Sequence, residues 1–141
     1  MRTSTRTTSE RATSGANDPI TDPATIHDRF CEGCNAGDLA RLVELYEPDA
    51  VIVERTGQLM EGTEAIREHL SNLLSMQPAM TILDSRTVVA GDLAQLSSHW
   101  QCAAVAPDGS HVELEYHGSE LARHQPDGSW RLVIDNPWGA D

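Results

Sequence analysis

From residue 80 onward the chain alternates. Between Leu93 and Val105 the positions Ala94, Leu96, Trp100, Cys102 and Ala104 are apolar, and Gln95, Ser97, His99 and Gln101 lie between them. Between His111 and His124 the apolar set is Val112, Leu114, Tyr116, Gly118 and Ala122, set against Glu113, Glu115, His117 and Arg123. Period two is the signature of a strand with one face buried. Met80–Ala90 and Trp130–Asp135 are β-branched or apolar runs of strand length. Gly91-Asp92, Pro107-Asp108-Gly109 and Pro126-Asp127-Gly128 separate the four, so they predict an antiparallel meander.

Upstream the period is helical. Thr21 or Asp22 before Pro23 reads as a helix start, and Gly37 after Ala36 as its end. Asp38 caps a second predicted helix over Leu39–Tyr46, with Leu39, Leu42, Val43 and Tyr46 on one side and Pro48 as its stop. Ala50–Val53 is a strand, followed by a turn at Thr56-Gly57 and a short return over Gln58–Met60. The third helix, Glu64–Ser75, carries a stripe of Ala65, Ile66, His69, Leu70, Leu73 and Leu74. Helices first and strands last argue an α+β fold, a curved antiparallel sheet with three N-terminal helices on one face. One residue breaks the alternation: Glu120 is a carboxylate on the apolar side of its strand, and breaches of a local rule tend to fall at functional sites.

Composition narrows the chemistry. The chain has 141 residues, one domain's worth, with 10 Lys+Arg against 22 Asp+Glu for a net charge of −12. A surface that acidic repels nucleic acid and anionic lipid. Every cation is an arginine, so Schiff-base lysine chemistry and the phosphate-loop lysine are excluded. Residues 1–18 are rich in Ser and Thr and poor in apolar side chains, which predicts a disordered tail ahead of a single domain over residues 19–141. No apolar run approaches the ~20 residues of a spanning helix, and the tail has no apolar segment of the signal-peptide kind. Cys31, Cys34 and Cys102 are an odd number of thiols, expected reduced in a cytoplasmic setting.

Cys31-Glu32-Gly33-Cys34 with His27 places three soft ligands on one helix face. A structural zinc site wants four, and no second cysteine pair exists, so the cysteines read as packing residues and no metal is expected. His99 and His117 fall on polar strand faces, His111 lies beside a turn, and His69 sits on a buried helical stripe as a core histidine.

The order Asn35-Ala36-Gly37-Asp38-Leu39, Leu45-Tyr46-x-Pro48-Asp49-Ala50-Val51-Ile52-Val53, Gly62-Thr63-Glu64-Ala65-Ile66-Arg67 resembles the ketosteroid-isomerase-like, or SnoaL-like, members of the nuclear transport factor 2-like superfamily. The closing stretch from Gly118 to Trp138 is similar to a bacterial branch of the same group. The likeness spans roughly residues 22–138. It implies a cone of curved sheet with the helices on its concave face around an apolar pocket, a homodimer, and no cofactor. In ketosteroid isomerases a tyrosine on the first helix, an aspartate base and a protonated aspartate do the work. By residue count these positions fall on Phe30, Glu54 and Glu120, so both carboxyl positions hold glutamate and the phenol is absent. The resemblance thus implies Glu54 as a base with a pKa raised by an apolar wall, taking a proton beside a carbonyl. Glu120, kept neutral by burial, would donate a hydrogen bond to the enolate. Tyr116 shares Glu120's strand face and could supply a hydroxyl.

Two readings follow. In the first, the chain binds an apolar carbonyl or polycyclic molecule against Phe30, Leu96, Trp100, Leu114, Tyr116 and Trp138; if it is an enzyme, Glu54 and Glu120 isomerise, cyclise or dehydrate that ligand. In the second, it is a non-catalytic binding or dimerisation module whose pocket is filled by Phe30, Leu96, Trp100 and Leu114. An open cavity of roughly 300 Å³ or more favours the first.

Overall fold

The structure, a computed structural model, describes residues 2–6 and 18–139. Asp22 accepts a hydrogen bond from the backbone N–H of Ala24 at 3.0 Å and opens a 3₁₀ turn over Pro23–Thr25. That turn leads into helix α1, Ile26–Ala36, which Gly37 ends in a left-handed conformation with φ of 66°. Asp38 caps the short helix α2, Leu39–Val43, by accepting from the N–H of Arg41 at 3.2 Å. Helix α3 spans Thr63–Ser75. The strands are β1 (Arg2–Arg6), β2 (Tyr46–Val53), β3 (Leu59–Glu61), β4 (Ala79–Ala90), β5 (Leu93–Val105), β6 (His111–His124) and β7 (Trp130–Asn136).

The strands form one sheet in the order β1-β4-β5-β6-β7-β2-β3. The meander β4 to β7 is antiparallel, and it is joined by one parallel pair, β2 with β7. That pair moves an expected boundary. The second helix was predicted to run through Tyr46, but Leu45 accepts a hydrogen bond from the N–H of Leu132 at 2.7 Å and Tyr46 pairs with Leu132. Tertiary pairing outweighs helical spacing, and Pro48 falls at the register shift between Tyr46 and Val51, where a missing N–H does no harm. Further register shifts at Ile82/Asp84 and Leu121/Ala122 bend the sheet.

Residues 2–6 pair antiparallel with the edge of β4, from Arg2 opposite Val89 to Arg6 opposite Ser85. The sequence predicted no structure there because it offers little apolar surface. A strand added at an edge needs only backbone groups, and β4 presents a free row of them. The remainder of the expected tail, residues 7–17, lies outside the described residues.

Burial follows the period-two pattern: Ala94, Leu96, Ser98, Trp100, Cys102 and Ala104 are buried on β5, and Gly118, Glu120 and Ala122 on β6. The main core joins Leu42, Ile52, Ile66, Leu70, Leu96 and Leu132, and so ties α2 and α3 to the sheet. Gly33 lets α2 come close: a Cβ there would lie 2.7 Å from Leu42 Cδ2. A second cluster, Cys31, Ile82, Trp100, Cys102 and Ala104, fills the other end of the concave face. Cys31 donates to the carbonyl of Met80 at 3.0 Å, and burial pushes the Cys34 and Cys102 thiols up. Among the described residues no helix is long and apolar enough to cross a membrane.

Candidate functional site

The helices do not fill the concave face. Between them and the sheet lies a cavity of about 610 Å³, walled by Phe30, Met60, Leu73, Met80, Trp100 and Leu114 with Pro137 and Trp138 along one side. Its exposed lining residues, Gln58, Glu68 and Asn72, mark the mouth between the β2–β3 turn and α3. Its buried polar lining residues, His27, Tyr46, Ser98, Glu120 and Asp135, mark the closed end.

Four elements build that closed end. The inward face of β6 carries Glu120, directly opposite Leu96 on β5 and Asp135 on β7. The first turn of α1 delivers His27, and the start of β2 delivers Tyr46. Glu120 Oε1 and His27 Nε2 are hydrogen-bonded as an ion pair. The phenol of Tyr46 donates to Asp135 Oδ2 at 2.5 Å. Gly118 makes room: a Cβ at that position would stand 2.7 Å from Glu120 Oε2 and 3.1 Å from Ser98 Oγ. His27 Nδ1 is buried without a hydrogen-bond partner among the described residues.

Charge at this end is tuned by burial and by the facing carboxylates. Asp135 is 6% exposed. Burial, then the charge of Glu120, raises its carboxyl to about 7, against the opposing pull of the Tyr46 hydrogen bond and of His27. Burial alone would lower the imidazole of His27, but the charge and hydrogen bond of Glu120, with Asp135 and Asp28 behind them, leave it raised. Burial and the neighbouring Asp135 also push the Tyr46 phenol well up. The closed end thus holds a histidine–glutamate pair in which the imidazole is raised, beside a carboxyl raised to about 7 and a phenol that stays protonated.

Nearer the mouth, Glu54 follows the end of β2, and its N–H donates to the carbonyl of Gln58 at 2.8 Å in the tight turn. His69 of α3 lies close enough for Glu54 to oppose the lowering of its pKa, but burial wins and keeps the ring neutral at pH 7. Arg55, the next residue, is not among those that line the cavity. Its guanidinium hydrogen-bonds Tyr116 Oη and lies 5.0 Å and 5.4 Å from the ring centroids of Tyr116 and Trp138.

Of the residues singled out from sequence, Glu54, Glu120, Phe30, Trp100, Leu114 and Trp138 line the cavity. Two do not. Leu96 is fully buried in the main core, held between Ala94 and Ser98 where the sheet meets the helices. Tyr116 packs on Trp100 and Trp138 at centroid distances of 5.8 Å and 4.9 Å, its oxygen accepts a hydrogen bond from Arg55, and it is not among the residues that line the cavity. Glu120 faces His27, and the carboxyl that burial raises, to about 7, is Asp135 on the neighbouring strand. Tyr46 and the inward role of His27 are not legible in the sequence, and Asp135 is only half so. Asp135 ends an apolar run beside Asn136-Pro137, where a turn cap and a ligand contact look the same in sequence, and Tyr46 sits at helical spacing from Leu42 and Val43. A polar residue ending a strand that must neighbour Glu120 was the available signal.

A sequence description of a SnoaL-like domain matches residues 27–132. No curated protein matches the chain. Among solved structures, a nuclear transport factor 2-like superfamily protein from Salmonella enterica aligns with a TM-score of 0.74 at 17% identity, over 84% of this chain and 89% of that one. A candidate ketosteroid isomerase from Shewanella frigidimarina aligns at 0.70 and 16% identity, over 82% and 95%. A candidate calcium/calmodulin-dependent protein kinase II association domain from Xanthomonas campestris aligns at 0.70 and 15% identity, over 92% and 100%. At such identities the likeness establishes the fold, and a fold carrying both an isomerase and an association domain leaves the activity to the site itself.

Proposed function

The chain belongs to the SnoaL-like domain family, and from that premise we propose that its cavity binds an apolar carbonyl or polycyclic molecule and moves a proton on it. The carrying observation is an apolar cavity of about 610 Å³ ending in a buried carboxyl raised to about 7. Pockets of a few hundred Å³ with few convergent polar groups suit small-molecule ligands, and a carboxyl poised near the working pH suits acid–base chemistry.

In this reading the ligand's carbonyl oxygen lies at the closed end. Glu54, on the wall nearer the mouth, takes the proton from the carbon beside the carbonyl. Asp135 in its neutral form donates a hydrogen bond to the developing enolate oxygen, with its other oxygen held by Tyr46. Glu120 acts through its neighbours: its charge adds to burial in raising Asp135 and, against burial, raises His27, which favours negative charge forming beside them. Returning the proton from Glu54 to another carbon isomerises the ligand; returning it to a β-hydroxyl, which then leaves the enolate as water while the carbon–carbon double bond forms, dehydrates it. The partner set includes a second copy of this chain across the outer sheet face, where exposed Leu83, Leu93 and Ile134 lie among polar residues, and the setting is cytoplasmic.

A second reading has its own support. His27 with Glu120 and Tyr46 with Asp135 are closed pairs that satisfy each other without a ligand, as a binding module without turnover would have them. Exchange of α-protons from apolar ketones in D₂O, followed by NMR, separates the two. Catalysis predicts exchange that falls about a hundredfold or more in Asp135→Asn and in Glu54→Gln, with binding of a neutral dye such as Nile red retained. Dye binding with no exchange above the buffer rate would leave the module, and no binding at all would mean a cavity closed in solution.

A further inference from the structure

The charges around the cavity are one-sided. Four acidic side chains line it, Glu54, Glu68, Glu120 and the raised Asp135, and no arginine does. The arginines next in sequence to Glu54 and Glu68 are engaged: Arg55 lies over Tyr116 and Trp138, and Arg67 pairs with Glu64 at 2.6 Å. Of the two lining histidines, His69 is held neutral by burial, and the charge of His27 is matched by Glu120. Glu68, exposed on α3 at the mouth, forms no ion pair with an arginine among the described residues, and Asn72 and Gln58 are the other exposed residues of the lining. Between mouth and closed end the walls are apolar and aromatic. Outside, a net charge of −12 raises the local concentration of cations and lowers that of anions.

Given the pocket reading above, on which this rests, we propose that the ligand is an apolar molecule carrying a protonated amine, its body among Phe30, Met80 and Trp100 and its ammonium group at the mouth against Glu68. Fatty acids, acyl phosphates and other anionic ligands are disfavoured by the same wall. An ammonium group fits the mouth better than the interior. At the mouth it keeps part of its hydration shell while gaining a carboxylate and the amide oxygens of Asn72 and Gln58, whereas full burial would strip it of water. The aromatic lining adds attraction for a cation near the ring faces.

A matched series tests the inference: 1-naphthylmethylamine, 1-naphthylmethanol and 1-naphthoate share one skeleton and differ in charge. Titration calorimetry at low salt is expected to rank them amine, alcohol, carboxylate, with the amine about tenfold or more tighter than the carboxylate. Glu68→Gln, a surface substitution that leaves the core untouched, should weaken the amine by about threefold and leave the alcohol unchanged. Raising NaCl should weaken the amine alone. Alcohol binding as tight as amine, carboxylate binding tighter, or an amine affinity indifferent to both Glu68→Gln and salt would overturn the inference while the pocket stands. If none of the three binds, the pocket reading falls and this inference falls with it.

Discussion

The carboxyl of Asp135 has an ordinary value of 3.8 and a native value of about 7. Below 3.8 both folded and unfolded chains hold the proton; between 3.8 and about 7 only the folded chain does. Its contribution to stability is therefore complete below 3.8 and is lost as the pH rises through 7. His27 works the same way, since its raised imidazole favours the folded chain below 6.5 and that advantage disappears above its native value. We expect the melting temperature to fall by about 5 °C or more between pH 5 and pH 8. In Asp135→Asn, which keeps an acceptor for the Tyr46 hydroxyl, the slope should flatten, and calorimetry at four or five pH values would show it. An equal slope in the variant would mean that Asp135 is not the titrating group. At this scale the sequence was only partly legible. Glu120 is visible because alternation puts it inward, whereas what Asp135 and Tyr46 do depends on partners 15 and 89 residues away.

Strand β6 shows how an element sets a site. Its alternation places Gly118 and Glu120 on the same face, and the absent side chain at the first leaves space for the carboxylate of the second. Gly118→Ala would put a methyl group 2.7 Å from Glu120 Oε2, 3.1 Å from Ser98 Oγ and 3.3 Å from the Pro137 carbonyl. Glu120 must then swing from His27, at a cost of about 1–3 kcal/mol in urea denaturation, and the His27 imidazole should titrate at lower pH by NMR. An unchanged His27 titration would mean that the pair survives the added methyl. The strands of the meander were legible end to end because one face is buried and one wet. The exchange of the last turn of α2 for the start of β2 was not, because a parallel partner more than 80 residues away in sequence takes Leu45 and Tyr46. The edge strand β1 was illegible for a related reason: its pairing uses backbone groups, which composition does not report.

For the whole molecule the dominant feature is a net charge of −12. Its surface ion pairs, such as Arg67 with Glu64 at 2.6 Å and Arg123 with Glu47 at 3.0 Å, are exposed on at least one side and contribute little. Self-repulsion outweighs them, so the melting temperature at pH 7 should rise as NaCl goes from about 10 mM to about 300 mM. A fall over that range would show that ion pairs dominate instead. The family and the α+β cone were determined by the sequence alone, because hydrophobic period, turn residues and motif order are local properties that every part of the chain carries. The cavity's polar end was decided only by tertiary structure. Four side chains from α1, β2, β6 and β7 meet there, and their protonation follows from shared burial and mutual charge, neither of which exists until the sheet has closed around them.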